Sequence, residues 1–228
     1  MMETLYMDLK QRYEDKLKSD ISNYKNFDNI LLQIETTNKC NHRCYFCPNK
    51  DSKRKKSDID YNFAKKVIDE CAGWLGKNKK ICFHMNGEPL LYKRLPELIE
   101  YAKLKDYEYV FITTNGSLAT DEKLKDIFDA GLDSIKFSIN AGTKENYIRI
   151  HGRDAFKNVI NAVKYSYNYR KESRKNYKIY ASCVATKDNF DELLSLDNLL
   201  KNYVDECVFY YPCGYAGQNN NLAKKIAL

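Results

Sequence analysis

Six short apolar runs, each followed by a stretch whose apolar residues recur every three or four positions, constrain this chain more than any other feature. The runs are Ile30-Leu31-Leu32-Gln33-Ile34, Ile81 to Met85, Tyr109 to Thr113, Ser134 to Ile139, Ile179 to Ala185 and Cys207 to Tyr211. Runs of this length read as strands, and the first, nearly all apolar, reads as buried on both faces. Phe63, Val67, Ile68, Cys71, Trp74 and Leu75 form one helical face, with Asp60 as its N-cap. Leu95, Leu98, Ile99 and Ala102 form a second, with Pro96 tolerated in its first turn. Leu124, Ile127 and Phe128 form a third, capped by Thr120 and ended by Gly131. After the fourth strand the pattern predicts a loop, then a helix carrying Phe156, Val159, Ile160 and Val163. A last helical face holds Leu193, Leu194, Leu199, Leu200 and Tyr203.

Strict β/α alternation requires an α/β fold whose strands run parallel, joined by right-handed crossovers. Periodicity leaves an open doubly wound sheet and a barrel both standing, and six units fall short of a closed eight-stranded barrel. Upstream, Leu5, Leu9, Tyr13, Leu17, Ile21 and Tyr24 predict an amphipathic N-terminal helix. The 228 residues then divide into a helical extension (1–27), one core domain (28–215) and a polar tail (216–228).

No apolar run approaches the length of a membrane span, and the N-terminus has no apolar signal region. A cytoplasmic protein is expected. The net charge of +7 sits partly in short clusters such as Lys53-Arg54-Lys55-Lys56, which read as a solvated face or as a seat for an anionic partner. No stripe of basic and aromatic residues at helical spacing supports nucleic-acid binding.

Eight cysteines without a signal peptide do not suggest a disulfide framework. Three of them, Cys40, Cys44 and Cys47, crowd the segment directly after the first strand. Iron–sulfur clusters usually take four cysteines, and no fourth lies nearby before Cys71, which falls on a predicted buried face. A cubane held by three thiolates keeps one coordination position open, as a catalytic metal site does. The rival is structural zinc bound with His42 or His84, although zinc sites usually pair two-residue knuckles. Cys71, Cys82 and Cys183 read as core residues, and Tyr210 and Tyr211 as residues looking into the interior.

The spacing Cys40-x3-Cys44-x2-Cys47, with Phe46 before the third cysteine, resembles the signature of the radical S-adenosylmethionine (radical SAM) enzymes. Asn86-Gly87-Glu88-Pro89 is similar to that family's Gly-Gly-Glu-Pro motif, with Asn in place of the first Gly. Thr114-Asn115-Gly116, Ser138-Ile139-Asn140 and the stretch Ala141 to Phe156, with Tyr147, Arg149, His151 and Gly152, also match. The resemblance implies a partial (β/α)6 TIM-like barrel in which Cys40, Cys44 and Cys47 hold a [4Fe–4S] cluster. S-adenosylmethionine would bind the fourth iron and be cleaved to a 5′-deoxyadenosyl radical that abstracts hydrogen from substrate. Gly87 would let backbone approach the methionyl group, and Glu88 would put negative charge near its ammonium. Asn86 and Pro89 belong to the same cofactor-binding motif, and Asn115 to the one after the third strand. Ser138 and Asn140 would hydrogen-bond the carboxylate or ribose, Arg149 would pair with the carboxylate, and Phe46 would lie against the adenine.

Cys47-Pro48-Asn49 and Asn86 to Leu91 look most like the branch carrying a C-terminal cysteine-rich extension, called SPASM or the shorter twitch. With no cysteine after Cys213, that extension is expected to be missing from this chain. The resemblance also implies a reductant such as a flavodoxin or ferredoxin. A small or sugar-derived substrate is favoured over a peptide or protein to be matured. An iron–sulfur electron-transfer module without S-adenosylmethionine chemistry stands as the alternative of a different class.

Overall fold

A computed structural model describes residues 11, 12, 15, 31–74, 78–213 and 220–227. Most of the expected N-terminal helix lies outside the described residues.

Six strands form one sheet: β1 (Leu31–Gln33), β2 (Lys80–Cys82), β3 (Tyr109–Thr114), β4 (Ser134–Ser138), β5 (Lys178–Val184) and β6 (Glu206–Tyr210). They are hydrogen-bonded in sequence order and every pair is parallel. The helices are α1 (Tyr61–Trp74), α2 (Leu95–Leu104), α3 (Asp121–Asp129), α4 (Lys144–His151), α5 (Phe156–Ser173), α6 (Leu193–Leu200) and α7 (Asn220–Ile226). Among the described residues β1 and β6 are the two edges, so the sheet is not closed into a barrel.

Along β3 the residues alternate, with Val110, Ile112 and Thr114 buried and Tyr109, Phe111 and Thr113 half-buried. In β4 and β5, Ile135, Phe137, Ile179, Ala181 and Cys183 are buried in the core. Period-two side chains divide a sheet into two faces. One face packs into the core with helical residues such as Leu98, Ile99, Leu124 and Val159. The opposite face turns half-buried residues such as Thr113, Lys136 and Ser138 to a cavity.

The first strand departs from expectation. It is not buried on both faces: Leu31 and Gln33 are exposed and only Leu32 is half-buried, because β1 pairs on one side only. The loop predicted after β4 also departs, since it contains α4. Thr143 caps this helix by accepting the Asn146 N–H, and Gly152 ends it with φ of 66°, a left-handed conformation that costs a glycine nothing. The predicted caps hold elsewhere. Asp60 accepts from Phe63 N, and Thr120 from Lys123 N. Cys82 and Cys183 are buried as expected, while Cys71 is half-buried.

Candidate functional site

A cavity of about 370 Å³ opens at the carboxyl ends of the strands. This is where parallel α/β folds gather their ligands, because the strand-to-helix loops converge there. Cys40, Cys44 and Cys47 line it together with Phe46. Asn86, Gly87 and Glu88 after β2, Asn115 after β3, and Ser138 and Asn140 at the end of β4 join them. Pro89 and Arg149 are not among its lining residues.

The cysteine loop is pinned by backbone hydrogen bonds. Arg43 N donates to His151 O at 3.1 Å and Tyr45 N to Ile150 O at 3.0 Å, docking the loop on the end of α4. On the other side Glu88 N donates to Lys39 O at 2.8 Å. Gly87 sits against the same loop so closely that a Cβ there would stand 2.0 Å from Thr37 O and 2.7 Å from Lys39 O. The glycine is therefore needed for contact between two loops of the protein itself.

Glu88 is 2% exposed, and burial holds its carboxyl above the usual carboxylate range. Its Oε1 accepts from Thr114 Oγ1 at 2.5 Å and from Leu90 N at 3.0 Å, and its Oε2 from Asn115 N at 2.7 Å. The carboxylate ties the loop after β2 to the loop after β3. Pro89 opens the short 3-10 turn at 89–91 directly behind it. Asn115 in turn lies 3.9 Å from Cys40 Sγ and donates to Asn41 at 2.9 Å.

Asn140 adopts φ of 58° and uses its side-chain oxygen to accept from Val184 N at 2.7 Å, so its amide joins β4 to β5. Ser138 Oγ lies 3.5 Å from Ser182 Oγ on the neighbouring strand. The Arg149 guanidinium is held on α4's outer side by Asn146 Oδ1, by the Asp188 carbonyl and by the Asp188 carboxylate at 3.2 Å.

Three thiols share one end of the cavity, and burial raises all three pKa values. Cys44 is pushed up to about 12 by burial and by the neighbouring Cys47 and Cys40. Adjacent thiolates in such a place repel one another and need a cationic centre to balance them. An all-sulfur donor set is the chemistry of an iron–sulfur centre, and the residues fit that group. A rival grouping of His42, Cys44 and His151 brings its ligand atoms within 4.8 Å of one another, but it uses only one of the three loop cysteines.

All three histidines of the chain line the cavity. Burial lowers His42 to about 3, and His84 and His151 to about 4. Lys136, Thr113 and Ser182 also line it and carry no motif. The one available signal for Lys136 is a lone cation inside the apolar strand Ser134 to Ile139.

The family model described as Radical SAM superfamily matches residues 34–199, most of the chain. The chain belongs to the radical SAM superfamily. Members use a [4Fe–4S] cluster and S-adenosylmethionine and require a reductant. An uncharacterised protein of Methanocaldococcus jannaschii is 31% identical over 196 residues, covering 86% of this chain and 61% of that protein. A GTP 3′,8-cyclase of Chlorobaculum tepidum is 36% identical over 133 residues, covering 58% of this chain and 39% of the cyclase. This chain therefore spans about two fifths to three fifths of the length of these curated relatives. Among solved structures, Streptococcus suis SuiB bound to its precursor peptide SuiA superimposes with a TM-score of 0.70 at 15% identity, covering 92% of this chain and 45% of SuiB. That likeness gives the radical SAM partial-barrel fold. No helix among the described residues is long and apolar enough to cross a membrane.

Proposed function

We propose that Cys40, Cys44 and Cys47 hold the superfamily's [4Fe–4S] cluster and that the chain abstracts hydrogen from a small molecule bound in the cavity. The observation that carries this reading is the convergence of the three thiols, and of no other cysteine, on one end of a cavity at the strand termini. Held by Cys40, Cys44 and Cys47, the cluster would supply the electron for reductive cleavage of S-adenosylmethionine, the chemistry from which hydrogen abstraction would follow.

The chain's own residues bind, orient and exclude water. Asn86 and Ser138 line the cavity with polar groups suited to the methionyl and ribose moieties, and Phe46 offers an aromatic face for the adenine. Gly87, Glu88, Asn115 and Asn140 hold the loops that carry these groups, through the contacts described above. Holding them in place before ligand arrives is what a preorganised site requires. Pro89 supports the same turn. A flavodoxin or ferredoxin is the proposed electron donor.

A small substrate is favoured because a similar protein is named for GTP, a small molecule. Anaerobic reconstitution with iron and sulfide, followed by dithionite and S-adenosylmethionine, tests the proposal. About four irons per chain and release of methionine with 5′-deoxyadenosine are expected, both lost in Cys44→Ala. A formed cluster that releases neither product would leave an electron-transfer module, and stoichiometric zinc without iron would overturn the reading.

A further inference from the structure

Opposite the cysteine loop, the cavity gathers one residue from each of five successive strands or the turns just beyond them: His84, Thr113, Lys136, Ser182 and Tyr210. Lys136 lies two residues before Ser138 on the same face of β4, so its Cα sits about 7 Å deeper along the strand. The ammonium donates to Tyr210 OH at 2.7 Å and lies 5.2 Å from the centre of that ring. Among the described residues it forms no ion pair.

The donors at this end outnumber the acceptors. His84 Nδ1 accepts from Thr113 N at 3.0 Å, so the neutral ring carries its proton on Nε2. Burial and the charge of Lys136 keep His84 neutral, lowering it to about 4. Tyr210 accepts from Lys136 and keeps its own O–H to give. Among the described residues the only carboxylate lining the cavity is Glu88, and its two oxygens are already engaged by Thr114, Leu90 and Asn115. A half-buried cation with no carboxylate to balance it, flanked by further donors, is a seat for an anion.

We propose that the substrate carries a carboxylate or phosphate group gripped by Lys136, assisted by Tyr210 and His84, with its reacting carbon towards the cysteine loop. This rests on the small-molecule reading above and adds the substrate's charge. Lys136 is then a specificity-determining residue of the cavity.

The test is a calorimetric titration of inorganic phosphate and, separately, acetate into the full chain, as isolated and after cluster reconstitution with saturating S-adenosylmethionine. The wild-type chain is expected to bind one equivalent of at least one of the two anions in both states. The tighter of the two identifies the group. Lys136→Met should weaken that binding at least tenfold and Tyr210→Phe about threefold, while Lys136→Arg, which keeps the charge and guards against a folding defect, stays within fivefold of wild type. S-adenosylmethionine affinity, titrated in the same way, should stay within twofold in Lys136→Met. The proposal is overturned if neither anion binds, if Lys136→Met binds as wild type does, or if it instead loses S-adenosylmethionine affinity tenfold. A chain that fails to cleave S-adenosylmethionine but shows the Lys136-dependent anion site would sink the proposed reaction and leave this site standing.

Discussion

His151 Nδ1 lies 3.2 Å from the Sγ of Cys44, while Nε2 of the same ring reaches the Ile139 carbonyl at 2.7 Å. A carbonyl only accepts, so Nε2 carries the proton and Nδ1 turns a lone pair to the sulfur. The ring, stacked on Tyr147 at 4.2 Å, thereby joins the end of β4 to the cysteine loop. Replacing His151 by Leu strands the Ile139 carbonyl in a buried place, which costs about 1–3 kcal/mol. Urea unfolding of the cluster-free chain should show that loss. The iron bound after reconstitution should fall with it, since the loop that presents Cys44 is no longer held.

The histidines also set a pH dependence. Their folded pKa values, about 3 for His42 and about 4 for His84 and His151, lie below the unfolded value. The unfolded chain therefore binds more protons than the folded one between about pH 6.5 and 4, and stability falls as pH drops through that window. Each histidine contributes a slope of up to about 1.4 kcal/mol per pH unit. Glu88, raised by burial, works in the opposite sense with one proton against three. Urea midpoints of the cluster-free chain at pH 7, 6 and 5 should decline in that order, and a flat profile would show that the rings are not buried as neutral groups.

Gly87→Ala places a methyl 2.0 Å from the Thr37 carbonyl, where neither backbone can yield without moving the cysteine loop. Overpacking of this kind costs about 1–3 kcal/mol or more. A lower thermal midpoint together with reduced iron uptake is expected. Unchanged iron binding would mean that the loop after β2 can shift without disturbing the cysteines.

Arg149 makes its contacts with Asn146 and Asp188, and its side chain is 58% exposed. Exposed pairs contribute no more than about 1 kcal/mol. Arg149→Ala should therefore unfold within about 1 kcal/mol of wild type and bind S-adenosylmethionine within about threefold, measured by equilibrium dialysis of the reconstituted chain. A loss of tenfold or more would show that the guanidinium leaves Asp188 to meet the cofactor's carboxylate.

The parallel strands were legible because period-two and period-3.6 apolar patterns reflect nearest-neighbour geometry, although the same patterns left the strand order open between a doubly wound sheet and a barrel. The cysteine loop was legible for the same reason, since its three ligands are close in the chain. Helix α4 was not, because the polar sequence from Lys144 to His151 has a weak apolar face and is held by Thr143, Gly152 and its packing on α5. The loop-to-loop contacts of Gly87 and Glu88 were not legible, because they join segments far apart in the chain. Both belong to a motif that reads as ligand contact, yet their nearest partners are Thr37, Lys39, Thr114 and Asn115.

Local pattern alone determined that this chain alternates strand and helix, that its strands run parallel and that three thiols follow the first of them. Those properties depend on residues a few positions apart, whose geometry the backbone period sets. Only the tertiary structure decided that the sheet stays open, that β1 is an edge, and that His42, His84, His151 and Lys136 face one cavity. These residues are up to 109 positions apart between His42 and His151. No local period encodes such a meeting, which is set by how the helices pack the sheet and by which face each strand turns inward.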